Sequence, residues 1–475
     1  MQGHSHLPRD IPSFTAHPGQ DLVLPDDLAS HFRHALDLDA QRSVRDDEDN
    51  EEVPLDPLGL RRSPRLAVQN SPPTLRQTPA ALGRIEKTRS KDKSKLRRFI
   101  QRRATAPSPL PQSHRPRPSA VDRFSSLKFT KTPLISEALP AGIWVGKRLG
   151  KTITRKQWSV NELISVGFRL IEWEGRAPRV ILDRSRRICA VLAGCPNDPT
   201  WDASVKNAAA AMVCARVSGV KNKAFPSDPD VHRRGVFTAI PTGVSFGSGQ
   251  KVPGNLLLTR HKREIVDRLL ENRNIKRIAG FQSGFYFPKV YQNYYETLSA
   301  LYDHHPSLRP NFPGVSIYPA CTFNLGPLTA TFEHTDSANV PYGLCAITAL
   351  GNFDPKRGGH LILFDLKLVI EFPPGSTVLI PSSVLRHGNT PVVGDGAYRM
   401  SFTQYCAGGL FRWVNYGFQT GKRLLGSGKA GAERKAEVDG TLQERTRSAL
   451  GLFSTLESLA VDRKRVFPVA SLVTK

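Results

Sequence analysis

Short apolar runs separated by turn-forming residues fill the stretch from about residue 315 to residue 418. The runs are rich in β-branched and aromatic residues or alternate in polarity, as strands do because successive side chains point to opposite faces of a sheet. Pairs such as Gly358-Gly359 and Pro373-Pro374 stand between the runs and favour tight turns. We predict strands over Thr329–Phe332, Cys345–Leu350, His360–Phe364, Leu368–Phe372, Thr377–Ile380 and Tyr398–Tyr405.

Many short strands joined by turns are typical of antiparallel sandwiches and jelly rolls. The predicted fold class is therefore α+β, with a double-stranded β-helix (jelly-roll or cupin-like) core and flanking helices. Residues from about 140 to 310 supply the helices, because apolar residues recur there at helical spacing. We predict helices over Asn207–Arg216, Leu258–Asn272 and Lys289–Tyr302, and strands over Val180–Leu182 and Ala190–Leu192. The tyrosines of the third helix are interpreted as core packing rather than as a stacking platform.

The first 125 residues differ in composition from the rest of the chain. They contain no tryptophan or tyrosine, are dense in proline and serine, and carry an acidic block at Asp46–Glu52 and a basic block at Arg84–Arg103. Such a segment buries too little apolar surface to offset the entropy of ordering it. We predict that it is disordered, apart from short helices near Asp27–Leu38 and Lys91–Arg103.

The predicted domain organisation follows from this contrast. All five tryptophans and all ten tyrosines lie from Trp144 onward. We assign residues 126–420 to one folded domain, with the β-helix core at about 315–418. Residues 421–475 form a helical or partly disordered tail, in which Gly440 and Gly451 interrupt the helix-forming stretch Lys429–Leu459.

The chain is strongly basic, with 67 lysines and arginines against 42 acidic residues and a net charge of +25. Such a charge favours a polyanionic partner, because each neutralised phosphate releases counterions. Nucleic acid, DNA first, is the expected partner. A basic segment also serves as a localisation signal, and for Lys87–Arg103 the two roles are compatible.

The six cysteines have neither the CxxC spacing nor the zinc-ligand spacing of a metal site. Several stand in apolar strands, as reduced buried cysteines do. No apolar run approaches the length of a membrane span, and the N-terminus has no apolar signal region. We expect no membrane association and a reducing compartment, the nucleus first and the cytoplasm second; the sequence sets no oligomeric state.

His334, Asp336 and His387 carry the candidate chemistry. His334 and Asp336 share one face of a strand end, because positions i and i+2 point the same way. Two imidazoles and one carboxylate are the set that holds mononuclear non-heme Fe(II) and leaves the opposite face of the ion open. We therefore predict that the three residues are metal ligands and catalytic residues.

Arg399 and Ser401 follow the distal histidine and face the same way. The planar guanidinium of Arg399 suits two-pronged binding of a carboxylate. Because the keto acid end of 2-oxoglutarate fills two of the open positions on such an iron, Arg399 is the predicted partner of its distal carboxylate. Ser401 is predicted to donate a second hydrogen bond.

The order H-x-D, distal His, Arg-x-Ser resembles that of the 2-oxoglutarate/Fe(II)-dependent dioxygenases over roughly residues 315–418. Within that superfamily, four motifs are similar to the TET/JBP-like branch, whose members oxidise the methyl group of modified pyrimidines in nucleic acid. These motifs are His334-Thr335-Asp336-Ser337-Ala338-Asn339, Gly358-Gly359-His360-Leu361, Pro374-Gly375-Ser376 and Arg386-His387-Gly388-Asn389-Thr390-Pro391. The resemblance implies Fe(II) as cofactor and 2-oxoglutarate and O₂ as cosubstrates. It also implies that Asn339 contacts substrate or cosubstrate, and that a 5-methylcytosine base leaves the duplex to react.

Several alternative readings of single residues stay open. His360 and Asp365 are rival ligands, although their place in one apolar strand favours ordinary sheet hydrogen bonds. Asn389 either contacts the site or only shapes the turn after His387, and Ser401 is alternatively a buried hydroxyl bonded to backbone. The glycine-rich loop Gly243–Lys251 lacks the ending of a phosphate-binding P-loop, and we place it near the substrate.

Two other functions compete with a DNA-modifying dioxygenase. A protein hydroxylase of the prolyl type uses the same iron ligands. A non-catalytic nucleic-acid-binding relative, associated with a mobile element, would keep the fold without turnover.

Overall fold

The computed structural model describes residues 128–131, 144–146, 155–183, 185–229, 231–247, 249–281 and 286–467. The predicted disorder of residues 1–125 and the helices predicted near Asp27–Leu38 and Lys91–Arg103 lie outside these residues. The strands of the described part are β1 Lys128–Lys131, β2 Arg169–Ile171, β3 Arg179–Leu182, β4 Ile188–Gly194, β5 Val231–His232, β6 Gly235–Val236, β7 Thr238–Ser245, β8 Gly254–Asn255, β9 Ala320–Gly326, β10 Cys345–Asn352, β11 Leu361–Leu363, β12 Leu368–Ile370, β13 Thr377–Ile380, β14 His387–Asn389 and β15 Tyr398–Tyr405.

The helices of the described part lie mostly before β9 and after β15. They are α1 Val160–Ser165, α2 Trp201–Lys221, α3 Arg260–Glu271, α4 Arg273–Ala279, α5 Pro288–His304, α6 Gly408–Asn415, α7 Gly421–Leu425, α8 Lys429–Asp439, α9 Leu442–Gly451 and α10 Leu459–Val466, with a 3₁₀ turn at Phe364–Leu366. None of the described helices is long and apolar enough to cross a membrane.

A large, mainly antiparallel sheet faces a small one. The large sheet has the order β1-β3-β4-β13-β10-β15-β9-β7-β8, and the small sheet has the order β14-β11-β12-β2. From β9 onward the chain passes repeatedly between them: β9, β10, β13 and β15 lie in the large sheet, whereas β11, β12 and β14 lie in the small one. This repeated exchange of strands between two facing sheets is consistent with the predicted jelly-roll core.

Alternation along β13 shows how the layers pack. Val378 and Ile380 point toward the small sheet and join a buried cluster with Leu361 and Ile370. Leu379, between them, points the other way and joins a second cluster under the helices. The large sheet is therefore the middle layer, since both of its faces are covered.

Helices cover the outer face of the large sheet. Helices α5 and α6 pack over one part of it, and the tyrosines Tyr291 and Tyr294 are buried there, as predicted for core residues. Helices α2, α3 and α4 pack over Phe323 and Phe402 at the other end. The three helices predicted between residues 207 and 302 are confirmed as α2, α3 and α5, with α2 extending well beyond the predicted bounds at both ends.

Most of the predicted strands are confirmed, and one is wrong. Thr377–Ile380 and Tyr398–Tyr405 have the predicted bounds. Residues Thr329–Phe332 do not form a continuous strand, because their backbone groups bond to different partners. The Thr329 N–H donates to the backbone carbonyl of Arg399, whereas the Phe332 N–H donates to the backbone carbonyl of Arg234.

Described residues after Gly421 contact the folded core, up to Phe467. Gly440 ends α8, and α9 begins with Thr441 capping the backbone N–H of Glu444. Leu459 and Val466 of α10 are buried in the cluster that also contains residues of α5 and α6. All six cysteines are free, and only Cys214 is exposed.

Candidate metal centre and its cavity

A cavity of about 160 Å³ lies between the two sheets. Alternate residues of β15, Arg399, Ser401, Thr403 and Tyr405, line it, because side chains two apart share one face of a strand. The remaining wall is formed by Arg234, Phe237, Ser245, Thr322, Asn324, Thr331, His334, Asp336, Ala338, Asn339, Ile347, Leu361, Phe372, His387, Asn389 and Ala407.

His334, Asp336 and His387 converge on one wall of this cavity. One ligand atom of each lies within 4.8 Å of those of the other two. The His334 Nε2 atom is 3.9 Å from Asp336 Oδ1, and His387 Nε2 is 4.0 Å from Asp336 Oδ2. All three side chains are largely buried, so the cluster faces the cavity rather than open solvent. The structure therefore brings together the three predicted ligands.

Backbone pairing explains why two distant histidines meet. The His334 N–H donates to the His387 carbonyl and the His387 N–H donates to the His334 carbonyl, each at 3.0 Å. This reciprocal pair adds His334 to the edge of the small sheet beside β14. The Asp336 N–H donates to the Ser382 carbonyl at 2.9 Å, which fixes the second end of the segment.

Both imidazoles have their Nδ1 atom tied to a carbonyl two residues earlier. His334 Nδ1 lies 2.8 Å from the Phe332 carbonyl oxygen, and His387 Nδ1 lies 2.9 Å from that of Leu385. A carbonyl oxygen only accepts, so each Nδ1 carries the proton and each Nε2 keeps its lone pair. Burial lowers the pKa of both imidazoles, which keeps them neutral. A neutral imidazole with a free Nε2 is the form that binds a metal.

Asp336 is held ionised by its surroundings. Burial is the largest single effect and opposes ionisation, but the neighbouring groups together, Arg234 first, outweigh it and lower the pKa of the carboxyl below its ordinary value. Arg234 Nη2 donates to Asp336 Oδ1 at 2.5 Å. An anionic oxygen is thus available beside the two imidazoles.

Arg399 is a buried cation without a carboxylate partner among the described residues. The side chain is 1% exposed, and its Nη1 donates to the Thr329 carbonyl at 2.7 Å. Its Nε is buried and makes no hydrogen bond within the described part of the chain. Burial lowers the pKa of Arg399 to about 10. Phe353 and Phe372 each have their ring centroid 5.7 Å from the guanidinium carbon. A carboxylate entering the cavity would supply the missing acceptor.

The other predicted contact residues also lie at the cavity. Ser401 Oγ accepts a hydrogen bond from Asn324 Nδ2 at 2.8 Å, so its bond goes to a side chain and not to backbone. Asn339 lines the wall, and its amide donates to Cys345 Sγ at 3.3 Å. Asn389 lines the wall too, while its amide donates to the His360 carbonyl at 3.1 Å.

The rival ligands His360 and Asp365 take part in other interactions. His360 Nδ1 pairs with Thr390 Oγ1 at 2.9 Å, and burial lowers the pKa of His360 to about 4. Asp365 accepts from the Arg386 backbone N–H at 2.7 Å and from Arg386 Nε at 2.5 Å. Arg386 also bonds Glu333 at 2.8 Å. Because Glu333 precedes His334 and Arg386 precedes His387, this ion pair ties together the two ligand-bearing segments.

Some residues of the site were missed by sequence reasoning. Arg234 lies 102 positions before Asp336 in a hairpin of two-residue strands, which carries no recognisable pattern. Tyr405 could have been predicted from the sequence, because it lies on the same face of β15 as Arg399 and Ser401. The glycine-rich loop was expected near the substrate, and Ser245, at the end of β7, does line the cavity.

Comparisons with known proteins give only remote similarity. No protein-family model and no curated protein matches the chain. Among solved structures, the chain is similar to NgTET1 in complex with 5mC DNA, at 12% identity over 51% of this chain and 83% of that one, with a TM-score of 0.29. It is also similar to a 2OG-Fe(II) oxygenase family oxidoreductase from Burkholderia pseudomallei, at 16% identity over 45% of this chain and 93% of that one, with a TM-score of 0.24. Neither TM-score establishes a shared fold, so the proposals below rest on the side chains of this chain.

Proposed function

We propose that this protein is an Fe(II)/2-oxoglutarate-dependent dioxygenase that hydroxylates a C–H bond of its substrate. One observation carries the proposal. His334, Asp336 and His387 present three ligand atoms within 4.8 Å of one another in a cavity that is also lined by Arg399, whose buried Nε has no hydrogen-bond partner among the described residues. A metal-binding group and a carboxylate-binding group thus share one buried space.

The donor set fits ferrous iron. Two imidazole nitrogens and one carboxylate oxygen are the ligands of non-heme Fe(II) sites that keep open positions. The two imidazoles are already in the tautomer that binds a metal through Nε2, because the carbonyls of Phe332 and Leu385 accept the Nδ1 protons. His334, Asp336 and His387 would hold the metal.

Arg399 would bind the distal carboxylate of 2-oxoglutarate. Its buried Nε lacks a partner in the described residues, and the planar guanidinium binds carboxylates through two parallel hydrogen bonds. Ser401 stands two residues along the same face, and its hydroxyl, which already accepts from Asn324, still has a proton to donate.

Iron, 2-oxoglutarate and dioxygen together supply the oxidising chemistry when bound, with succinate, CO₂ and a hydroxylated substrate as products. The protein orients the reactants and excludes water. Ile347, Leu361 and Phe372 give the cavity apolar walls. Such walls keep bulk water away from the reacting centre.

As substrate we propose the methyl group of 5-methylcytosine or a related modified pyrimidine in nucleic acid. The net charge of +25 supports a polyanionic partner. The H-x-D-x-x-N motif supports the same choice, since Asn339 lies at the cavity wall, where it would contact substrate or cosubstrate. A base inside a duplex does not reach a buried metal, so it would have to be extruded. Such a substrate goes with a nuclear location, which stays a prediction.

The test is incubation of the purified chain with Fe(II), 2-oxoglutarate and methylated DNA, with nucleosides read by mass spectrometry. We expect an oxidised pyrimidine from the wild type and none from His334→Ala. Succinate release with peptides and none with DNA would instead favour a protein hydroxylase. Bound iron without turnover on either substrate would favour a non-catalytic nucleic-acid-binding relative.

A further inference from the structure

We infer that Arg234, carried by the β5–β6 hairpin, is a positioning residue that fixes the carboxylate of Asp336 for the metal. The inference rests on the proposed function, because it concerns the same metal centre. It assigns a role to a part of the chain that has no metal-ligand motif of its own.

The hairpin is docked by its backbone onto the segment that carries the ligands. The Phe332 N–H donates to the Arg234 carbonyl at 2.7 Å, and Gly235 forms a bridge with Thr331. A Cβ at Gly235 would lie 2.6 Å from the Ala330 carbonyl oxygen, so the close approach requires glycine. Residue 234 therefore lies opposite Phe332, two positions before His334. This backbone contact does not depend on the side chain at position 234.

From this position the guanidinium reaches one oxygen of the carboxylate. Arg234 Nη2 lies 2.5 Å from Asp336 Oδ1, whereas Cys345 Sγ approaches Oδ2 only to 3.9 Å. With Oδ1 engaged, rotation of the carboxylate is restricted, and Oδ2 is left as the less encumbered oxygen. Binding through a single oxygen keeps the remaining positions on the metal open for cosubstrate and dioxygen.

Two effects of the arginine oppose each other. Its positive charge repels a divalent ion, but the carboxylate lies between the two charges and the guanidinium already engages it. Hydrogen-bonding partners of metal ligands generally strengthen binding, and their loss lowers metal affinity or activity by roughly 10–100-fold. We expect orientation to outweigh repulsion at Arg234.

The experiment measures metal binding by the full chain without substrate. Apo protein is titrated with Mn(II), followed by electron paramagnetic resonance, and with Co(II), followed by optical absorption. Arg234→Met is expected to weaken Mn(II) binding by about 10-fold or more and to change the Co(II) spectrum. Arg234→Lys, which keeps the charge, is expected to lie closer to the wild type in both measurements.

Arg233→Met is the matched control. It removes the same charge from the same turn, but within the described part of the chain Arg233 donates to the Thr335 carbonyl, at 3.4 Å, and not to the Asp336 carboxylate. We expect it to bind Mn(II) within about threefold of the wild type, because backbone carbonyls near a site influence the metal less than bonds to its ligands do. Thermal unfolding of each variant checks the fold, and Arg234→Gln replaces Arg234→Met if the latter does not unfold cooperatively.

The possible failures are distinguishable. Equal Mn(II) affinity and equal Co(II) spectra in Arg234→Met and the wild type would overturn this inference alone. Weakening by Arg233→Met as large as that by Arg234→Met would also overturn it, since the effect would then be one of charge. If the wild type binds Mn(II) no better than Asp336→Ala, the proposed function itself fails.

Discussion

At the scale of single residues, the buried side chains of Arg399 and His360 show how a positive charge affects the stability of this protein. Both have little contact with solvent and depressed pKa values, caused first by burial. A group whose charged form is disfavoured in the folded state lowers stability whenever that charge is present. The two residues differ in whether the charge is present at neutral pH.

Arg399→Met is expected to raise stability while abolishing cosubstrate binding. Burial lowers the pKa of Arg399 from its ordinary value to about 10 in the folded state, so its charge destabilises the fold by about 3 kcal/mol at neutral pH. Urea unfolding of the ligand-free variant should therefore show a free energy of unfolding no lower than that of the wild type. With Mn(II) present in every sample, 2-oxoglutarate added at about a hundred times its Kd should give further stabilisation of the wild type only, by roughly 2.7 kcal/mol.

A metal-only control separates the two ligands. Mn(II) alone should stabilise both proteins equally, because Arg399 is not a metal ligand. If the variant is stabilised by 2-oxoglutarate as much as the wild type is, the guanidinium does not bind it.

Because His360 is buried, we predict that the free energy of unfolding falls in mild acid. The pKa of His360 is about 4 in the folded state and 6.5 in the unfolded state, so its contribution is complete above 6.5 and is lost as the pH falls toward 4. Between about pH 7 and about pH 5 the loss amounts to roughly 2 kcal/mol. His360→Asn keeps a donor near Thr390 and does not titrate, so urea unfolding at the two pH values should show a pH dependence smaller by that amount. An unchanged pH dependence would contradict the prediction.

At the scale of elements, the ligand-bearing segments are joined by more than their backbone. Arg386 bonds Asp365, whose side chain is fully buried, and Glu333 across the pair. A buried charge that loses its partner is strongly destabilising, whereas a more exposed ion pair contributes little. The two carboxylates therefore differ in importance, although they share one arginine.

Arg386→Met is expected to destabilise the fold by about 3–5 kcal/mol, because it removes the guanidinium that pairs with the fully buried carboxylate of Asp365. Glu333→Gln should lower the free energy of unfolding by about 1 kcal/mol or less, since it keeps an acceptor for Arg386. Chemical unfolding in the absence of metal measures both. Equal losses would show that Asp365 finds another partner when Arg386 is removed.

The sequence predicted strands well where a run of side chains belongs to a segment that pairs continuously with neighbouring strands. Thr377–Ile380 and Tyr398–Tyr405 are dense in β-branched or aromatic residues and are strands over those residues. Thr329–Phe332 has a similar composition, but its backbone bonds to several segments, which composition does not reveal.

The site was likewise predictable in part from the sequence. Motif spacing pointed to His334, Asp336 and His387, and periodicity along β15 pointed to Arg399 and Ser401. The contact between Arg234 and Asp336 depends on how a short hairpin docks 102 residues upstream. No local pattern encodes that docking.

At the scale of the whole molecule, charge determines the expected behaviour toward DNA. The net charge of +25 predicts affinity that falls steeply with salt. The logarithm of the association constant should fall with the logarithm of salt concentration with a slope of roughly 0.9 per phosphate contacted. Fluorescence anisotropy with a labelled duplex gives this slope directly.

Neutralising the block Arg84–Arg103 with glutamines should reduce both affinity and slope. Oxidation of a short methylated oligonucleotide at saturating concentration should change little, since the metal ligands lie in the described domain far along the chain. A slope that is unaffected would assign DNA binding to the folded part.

The mutual hydrogen bonds between His334 and His387 make the geometry of the candidate metal ligands a property of strand register. A slip of either segment by a single residue would turn its imidazole out of the cavity and separate the pair, since side-chain direction alternates along a strand. Correct folding thus assembles the coordination sphere before any ion arrives. The metal ion then binds to a site that is already formed. A misfolded chain would lose its metal affinity completely rather than gradually.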